Sequence, residues 1–96
     1  MLPYVIIRSY AMGVHAGELA EKSETRVVLN NTRRIWYWDG ACSLSQLALE
    51  GTKKPENCKF SVELPSNEIT SPQGLEIIPV SETARKSIAS VMPWKK

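Results

Sequence analysis

The clearest period-two stretch of the chain runs from Cys58 to Leu64, where Cys58, Phe60, Val62 and Leu64 alternate with Lys59, Ser61 and Glu63. That pattern predicts a strand with one buried face. Pro3 to Tyr10 is rich in β-branched and aromatic residues and opens on a proline, which a strand tolerates at its first position. Alternation sets Val5, Ile7 and Ser9 on one face and Tyr4, Ile6, Arg8 and Tyr10 on the other, so both faces are at least partly covered. Gly13 supplies a turn or bulge, and Val14 to Ala20 returns beside the first strand. A polar tip, Glu21 to Thr25, leads into a third short strand, Arg26 to Leu29, ended by the turn-forming pair Asn30-Asn31. Arg33 to Trp38 follows as a fourth strand, with Asp39-Gly40 as its turn.

The period then changes. Ser43 caps a helix, Gln46 three residues on reaches back as in a capping box, Leu44, Leu47 and Ala48 share a face, and Gly51 ends it. Lys53 to Asn57 is a surface loop. Pro65 to Gly74 is turn-rich, interrupted by Glu68-Ile69-Thr70, and Leu75 to Val80 is a last strand whose Pro79 points to an edge or an end. Ser81 caps a closing helix from Glu82 to Ser90, with Glu82 favoured in the first turn by the helix dipole, and Pro93 stops it. The predicted architecture is α+β and mostly β: a small antiparallel sheet or partly open barrel, with a short helix after the fourth strand and a helix at the C-terminus. No repeat or linker divides the 96 residues, so 1–96 is read as a single domain.

Composition narrows the classes. A content of 43% hydrophobic and 23% charged residues is that of an ordinary globular chain and argues against disorder. The formal charge is +2, and Lys95 and Lys96 alone account for it. A nearly neutral body weakens a nucleic-acid reading without removing a local basic patch. No apolar run reaches the ~20 residues of a membrane span, and no signal-peptide pattern opens the sequence, which predicts a cytoplasmic protein with no membrane partner. In such a compartment Cys42 and Cys58 are expected as small buried hydrophobes, and with His15 as the one histidine they fall short of a zinc set.

No nucleophile-base pair, phosphate loop or dinucleotide glycine fingerprint can be assembled, so no enzyme activity and no cofactor are expected. His15 is expected to face solvent or a neighbouring strand. The unusual segment is Arg33 to Ser43, which holds two of the three tryptophans and two adjacent arginines. As a strand it sets Arg34, Trp36 and Trp38 on one face and Arg33, Ile35 and Tyr37 on the other. Packing of indoles and arginine stems in a core accounts for any single one of these residues. Together they suit nucleobase stacking and phosphate gripping, and the helix start at Ser43 adds backbone donors that favour an anion.

The set Tyr4-Val-Ile-Ile-Arg8, Gly13-Val-His-Ala-Gly17, Arg33 to Ala41, Leu44 to Gly51 and Leu75-Glu-Ile-Ile-Pro79 resembles a widespread group of small, mostly uncharacterised phage-encoded proteins. Small phage proteins of this kind include counter-defence sponges that sequester cyclic nucleotides made by bacterial immune systems such as CBASS. The resemblance implies a homo-oligomer in the infected host's cytoplasm that binds a cyclic dinucleotide or related nucleotide without cleaving it. The resemblance does not assign ligand positions; the candidate ligand residues are Arg8, Tyr10 and His15 on the first two strands, then Arg33, Arg34, Trp36 and Trp38, with Ser43 at the helix start. Two alternatives stand beside it: a small nucleic-acid-binding accessory protein using the same arginines and tryptophans, and a protein inhibitor of a host enzyme.

Overall fold

A computed structural model describes residues 2–94. Strands β1 (Tyr4–Ser9), β2 (Gly13–Lys22) and β3 (Arg26–Tyr37) form an antiparallel meander, followed by helix α1 (Leu44–Glu50) and a 3-10 turn at Pro55–Asn57. Strands β4 (Lys59–Phe60), β5 (Leu64–Thr70) and β6 (Leu75–Pro79) and helix α2 (Glu82–Ser90) complete the fold. The sheet runs β4-β3-β2-β1-β6, with β5 also paired to β3. The predicted mostly-β class is therefore observed, as a curved six-stranded antiparallel sheet rather than a closed barrel.

Both faces of the sheet are packed. Ile6, Ala16, Ile35 and Phe60 meet Leu47 and Ala48 of α1, Ile88 of α2 and Val91 in one cluster. On the other face the sheet curls over itself, bringing Val5 and Ile7 against Val27, Leu29 and Ile69. The alternation expected in β1 is thus realised with both sides buried. Each helix is held by its predicted cap: Ser43 Oγ accepts from Gln46 N–H at 3.2 Å, and Ser81 Oγ from Ala84 N–H at 3.0 Å.

Three expectations are corrected. Asn30-Asn31 does not end a strand; the third and fourth expected strands are one, β3, and α1 follows the segment expected as the fourth strand, as predicted. Asn31 does adopt the left-handed conformation of a turn residue, with φ 47°, but beside the register shift between Ala16 and Glu18 it makes a bulge. The run Cys58 to Leu64 is not one strand. Only Lys59–Phe60 pair with β3 there, the chain kinks at 61–63, and pairing resumes as β5 through the stretch expected to be turns. Because of that kink Phe60 is buried while Val62 and Leu64 face outward. Cys58 is buried as expected, but Cys42 is exposed.

Close approach requires glycine at position 17. A Cβ there would lie 2.7 Å from Thr32 Cβ, inside contact distance, and Thr32 Oγ1 donates to Ala16 O at 2.8 Å across the same strand pair.

Candidate functional site

The two adjacent arginines occupy opposite environments, as alternation in β3 requires. Arg33 is buried, its Nε donating to Ser61 O and its Nη1 to Ile88 O, both at 2.8 Å, with the guanidinium 5.2 Å from the Phe60 ring centre. Burial pushes its pKa down, and its buried Nη2 has no hydrogen-bond partner among the described residues. Arg33 therefore ties β3 to the kink and to the end of α2, inside the protein. Arg34 is exposed, and its Nη2 donates to Met12 O at 2.8 Å. His15 Nε2 lies 2.9 Å from that same carbonyl, in a buried site whose desolvation lowers the histidine pKa. Arg33 and His15 are thus buried groups that do not line the site assembled below; Arg33 borders instead a separate cavity with Tyr4, Glu63 and Arg85.

The tryptophans separate as well. The strand ends at Tyr37, so alternation does not carry through to Trp38, which packs half-buried against the helix-covered core. Trp36 remains exposed and meets Trp94 edge to face, ring centres 5.9 Å apart. The expected common face of Arg34, Trp36 and Trp38 is therefore divided between two places.

Three expected residues from three parts of the chain do converge. Arg8 of β1, Trp38 after β3 and Ser43 before α1 line one open cavity of about 360 Å³, with Val14, Glu76 and Ile78 among the remaining walls. Arg8 and Glu76 also border a neighbouring cavity of about 560 Å³ lined by Tyr10, Ser9, Gln73 and Leu75. Arg8 Nε pairs with Glu76 Oε1 at 3.0 Å across the ridge between them. The Arg8 and Glu76 side chains are 62% and 50% exposed, so the pair contributes little stability and its charges stay available. Tyr10, at 92% the most exposed of the large hydrophobic side chains among the described residues, stands at the rim.

The helix start at Ser43 is not a free donor site. The helix is seven residues long, Ser43 Oγ already accepts from Gln46 N–H, and Gln46 Oε1 accepts from Cys42 N–H at 2.7 Å. Ser43 instead offers the cleft its hydroxyl. Sequence reasoning missed Glu76, whose place beside Arg8 follows from the β1–β6 register, and Lys59 and Trp94, which join Trp36 only through the tertiary fold. Among the described residues no group of three His, Cys, Asp or Glu side chains is placed to hold a metal ion, and no helix is long and apolar enough to cross a membrane.

These features define a small α+β domain with an open, arginine- and aromatic-lined cleft at the β1–β6 end of its sheet. The chain belongs to the family described as a domain of unknown function, DUF6948, whose model matches residues 2–88 and so spans the whole cleft. No curated protein and no solved structure matches it.

Proposed function

We propose that this protein is a non-catalytic binding module that holds a nucleotide, with cyclic dinucleotides as the first candidates, in the cleft of Arg8, Trp38 and Ser43. The observation that carries the reading is the convergence of these three residues on one cavity. Trp38, fixed by the core, supplies a rigid aromatic wall for a base. Arg8 supplies a guanidinium for phosphate oxygens, the Ser43 hydroxyl a second polar contact, and Glu76 an acceptor for base N–H groups. The two cavities share the Arg8–Glu76 pair, which supports a ligand whose two bases occupy the two spaces and whose phosphate meets the Arg8 guanidinium between them. In an infected bacterium, retention without cleavage would withdraw signalling nucleotides from the immune effectors they activate, the role implied by the resemblance to phage sponges.

Calorimetric titration with a panel of cyclic di- and trinucleotides tests this. Binding of at least one member is expected, with Arg8→Ala weakening it about ten- to hundredfold through the lost charge-assisted contact of roughly 1.5–3 kcal/mol. Trp38→Phe, which keeps an aromatic wall, should weaken it less. Absence of binding to every member at micromolar protein refutes the proposal.

A further inference from the structure

A second aromatic surface lies at the opposite edge of the sheet from the cleft, since β4 and β6 end the strand order. Trp36 and Trp94 are 53% and 42% exposed. Their contact is built by the backbone: Trp94 N–H donates to Phe60 O at 2.9 Å, and Pro93 bridges to Phe60, so the C-terminal segment is fixed alongside β4. The Lys59 ammonium lies 5.1 Å from the Trp94 ring centre. Arg34 precedes Trp36 by two residues on the same strand and is exposed. Among the described residues neither Lys59 nor Arg34 forms an ion pair with a carboxylate, whereas Arg8, Arg26 and Arg85 all do. Glu56 borders an apolar groove that Trp94 also lines.

Two indoles held partly in water beside two uncompensated cations match an alternation of flat apolar groups and negative charges. We infer that the Trp36–Trp94 edge is a platform for single-stranded nucleic acid, the indoles stacking unpaired bases while Lys59 and Arg34 meet the flanking phosphates. A duplex does not fit this chemistry, because its bases already stack on one another and expose no free faces to the indoles. Stacking tolerates any base, so the platform selects single strands rather than a sequence. This surface is separate from the nucleotide cleft and does not depend on it.

The test is fluorescence anisotropy of a labelled oligothymidylate of about 15 nucleotides, long enough for the ~4–16 nucleotides a small domain covers, with tryptophan quenching followed in parallel. Binding is expected to weaken with salt, with a log-log slope of at least about −1.4, from two neutralised phosphates at about −0.7 each on a single strand. Trp36→Ala should lose about ten- to hundredfold in affinity, in line with base stacking on an aromatic ring. Lys59→Glu, at an exposed site that leaves the fold intact, should weaken binding and flatten the salt slope, and it decides the matter if a tryptophan variant fails to fold. Arg8→Ala in the cleft should bind the oligonucleotide like the parent. Equal binding by Lys59→Glu and parent, or no binding by the parent, overturns the inference. So does a concentration-dependent self-association that shields the tryptophans and is abolished by Trp36→Ala, since the edge would then join two copies of this chain.

Discussion

Replacing Arg33 and Arg34 singly by alanine should separate a structural arginine from a surface one. Arg33→Ala removes donors to Ser61 O and Ile88 O and the guanidinium over Phe60. Hydrogen bonds to a charged group are worth roughly 1.5–3 kcal/mol each and a desolvated cation–π contact about 1–2 kcal/mol. Against this stands relief of a buried cation that, among the described residues, has no carboxylate ion-pair partner and one unpaired nitrogen, a penalty of several kcal/mol in general. Ile88 O keeps its bond from Val91 N–H, whereas the anchor of Ser61 O to the side chain is lost. The net loss is expected near 3 kcal/mol, a drop in Tm of about 12–24 °C at ~4–8 °C per kcal/mol for a domain of this size. Arg34→Ala removes one exposed bond to Met12 O and should cost about 1 kcal/mol or less. Arg33→Met, which keeps the stem's packing and deletes the charge, should fall between them. Urea denaturation and melting curves of the three variants supply the measurement. If Arg33→Ala is within about 0.5 kcal/mol of Arg34→Ala, near the limit of such comparisons, then Arg33 does not hold the kink and α2 to the sheet.

Other consequences of the structure are open to measurement. The folded-state pKa of His15 lies below its ordinary value because the ring is buried; the unfolded chain therefore takes up the proton first, so the stability His15 contributes is present above about pH 6.5 and declines as pH falls below that value toward the folded pKa. Denaturation midpoints between pH 7 and 5 should fall more for the parent than for His15→Gln, and equal slopes would refute this. Gly17→Ala forces a Cβ against Thr32 and should destabilise by about 1–3 kcal/mol by overpacking, read from urea midpoints. Asn31→Val places a β-branched residue at φ 47° and should cost about 1–3 kcal/mol, whereas Asn31→Gly, free of that strain, should cost less; equal melting temperatures would show that the bulge is not held in that conformation. The expected homo-oligomer should appear in sedimentation at tens of micromolar protein, an order of magnitude at which cellular association is relevant, and a pure monomer would count against it.

Local signals were legible wherever a few neighbouring residues settle the outcome. Ser43 with Gln46 and Ser81 with Ala84 form their caps as the spacing implies, and Asn31 takes the left-handed backbone that asparagine tolerates. What the chain does with a local feature depends on partners distant in sequence. Strand β5 pairs with β3 in one register on both sides of Asn31, from Arg26 to Asn30 and again at Thr32, so a left-handed Asn31 becomes a bulge inside a long strand and not a corner between two. The stretch from Pro65 to Gly74 reads as turn-rich, yet its first half, including Pro65, lies in β5, which pairs with β3 alone. An edge position has one free side where a missing N–H is tolerated.

The same distinction governs the candidate site. Strict alternation assigned Arg33 and Arg34 to opposite faces correctly, because two residues inside one paired strand cannot escape it. It could not say which face is covered. That is decided by α2, whose Ile88 carbonyl lies 55 positions away and takes Arg33 into the core. Alternation failed for Trp38 because pairing stops at Tyr37, and beyond the last ladder residue a side chain follows the loop that carries it. The loop turns Trp38 toward β1, while the C-terminal segment brings Trp94 to Trp36. One aromatic run in the sequence thus supplies one indole to each end of the sheet: to a concave site with Arg8 and to an open edge with Lys59. A concave wall suits a compact nucleotide and an open edge an extended strand. The two readings that compete for the Arg33 to Ser43 segment in the linear sequence therefore occupy separate places in the fold, and Arg8→Ala and Lys59→Glu can test them independently.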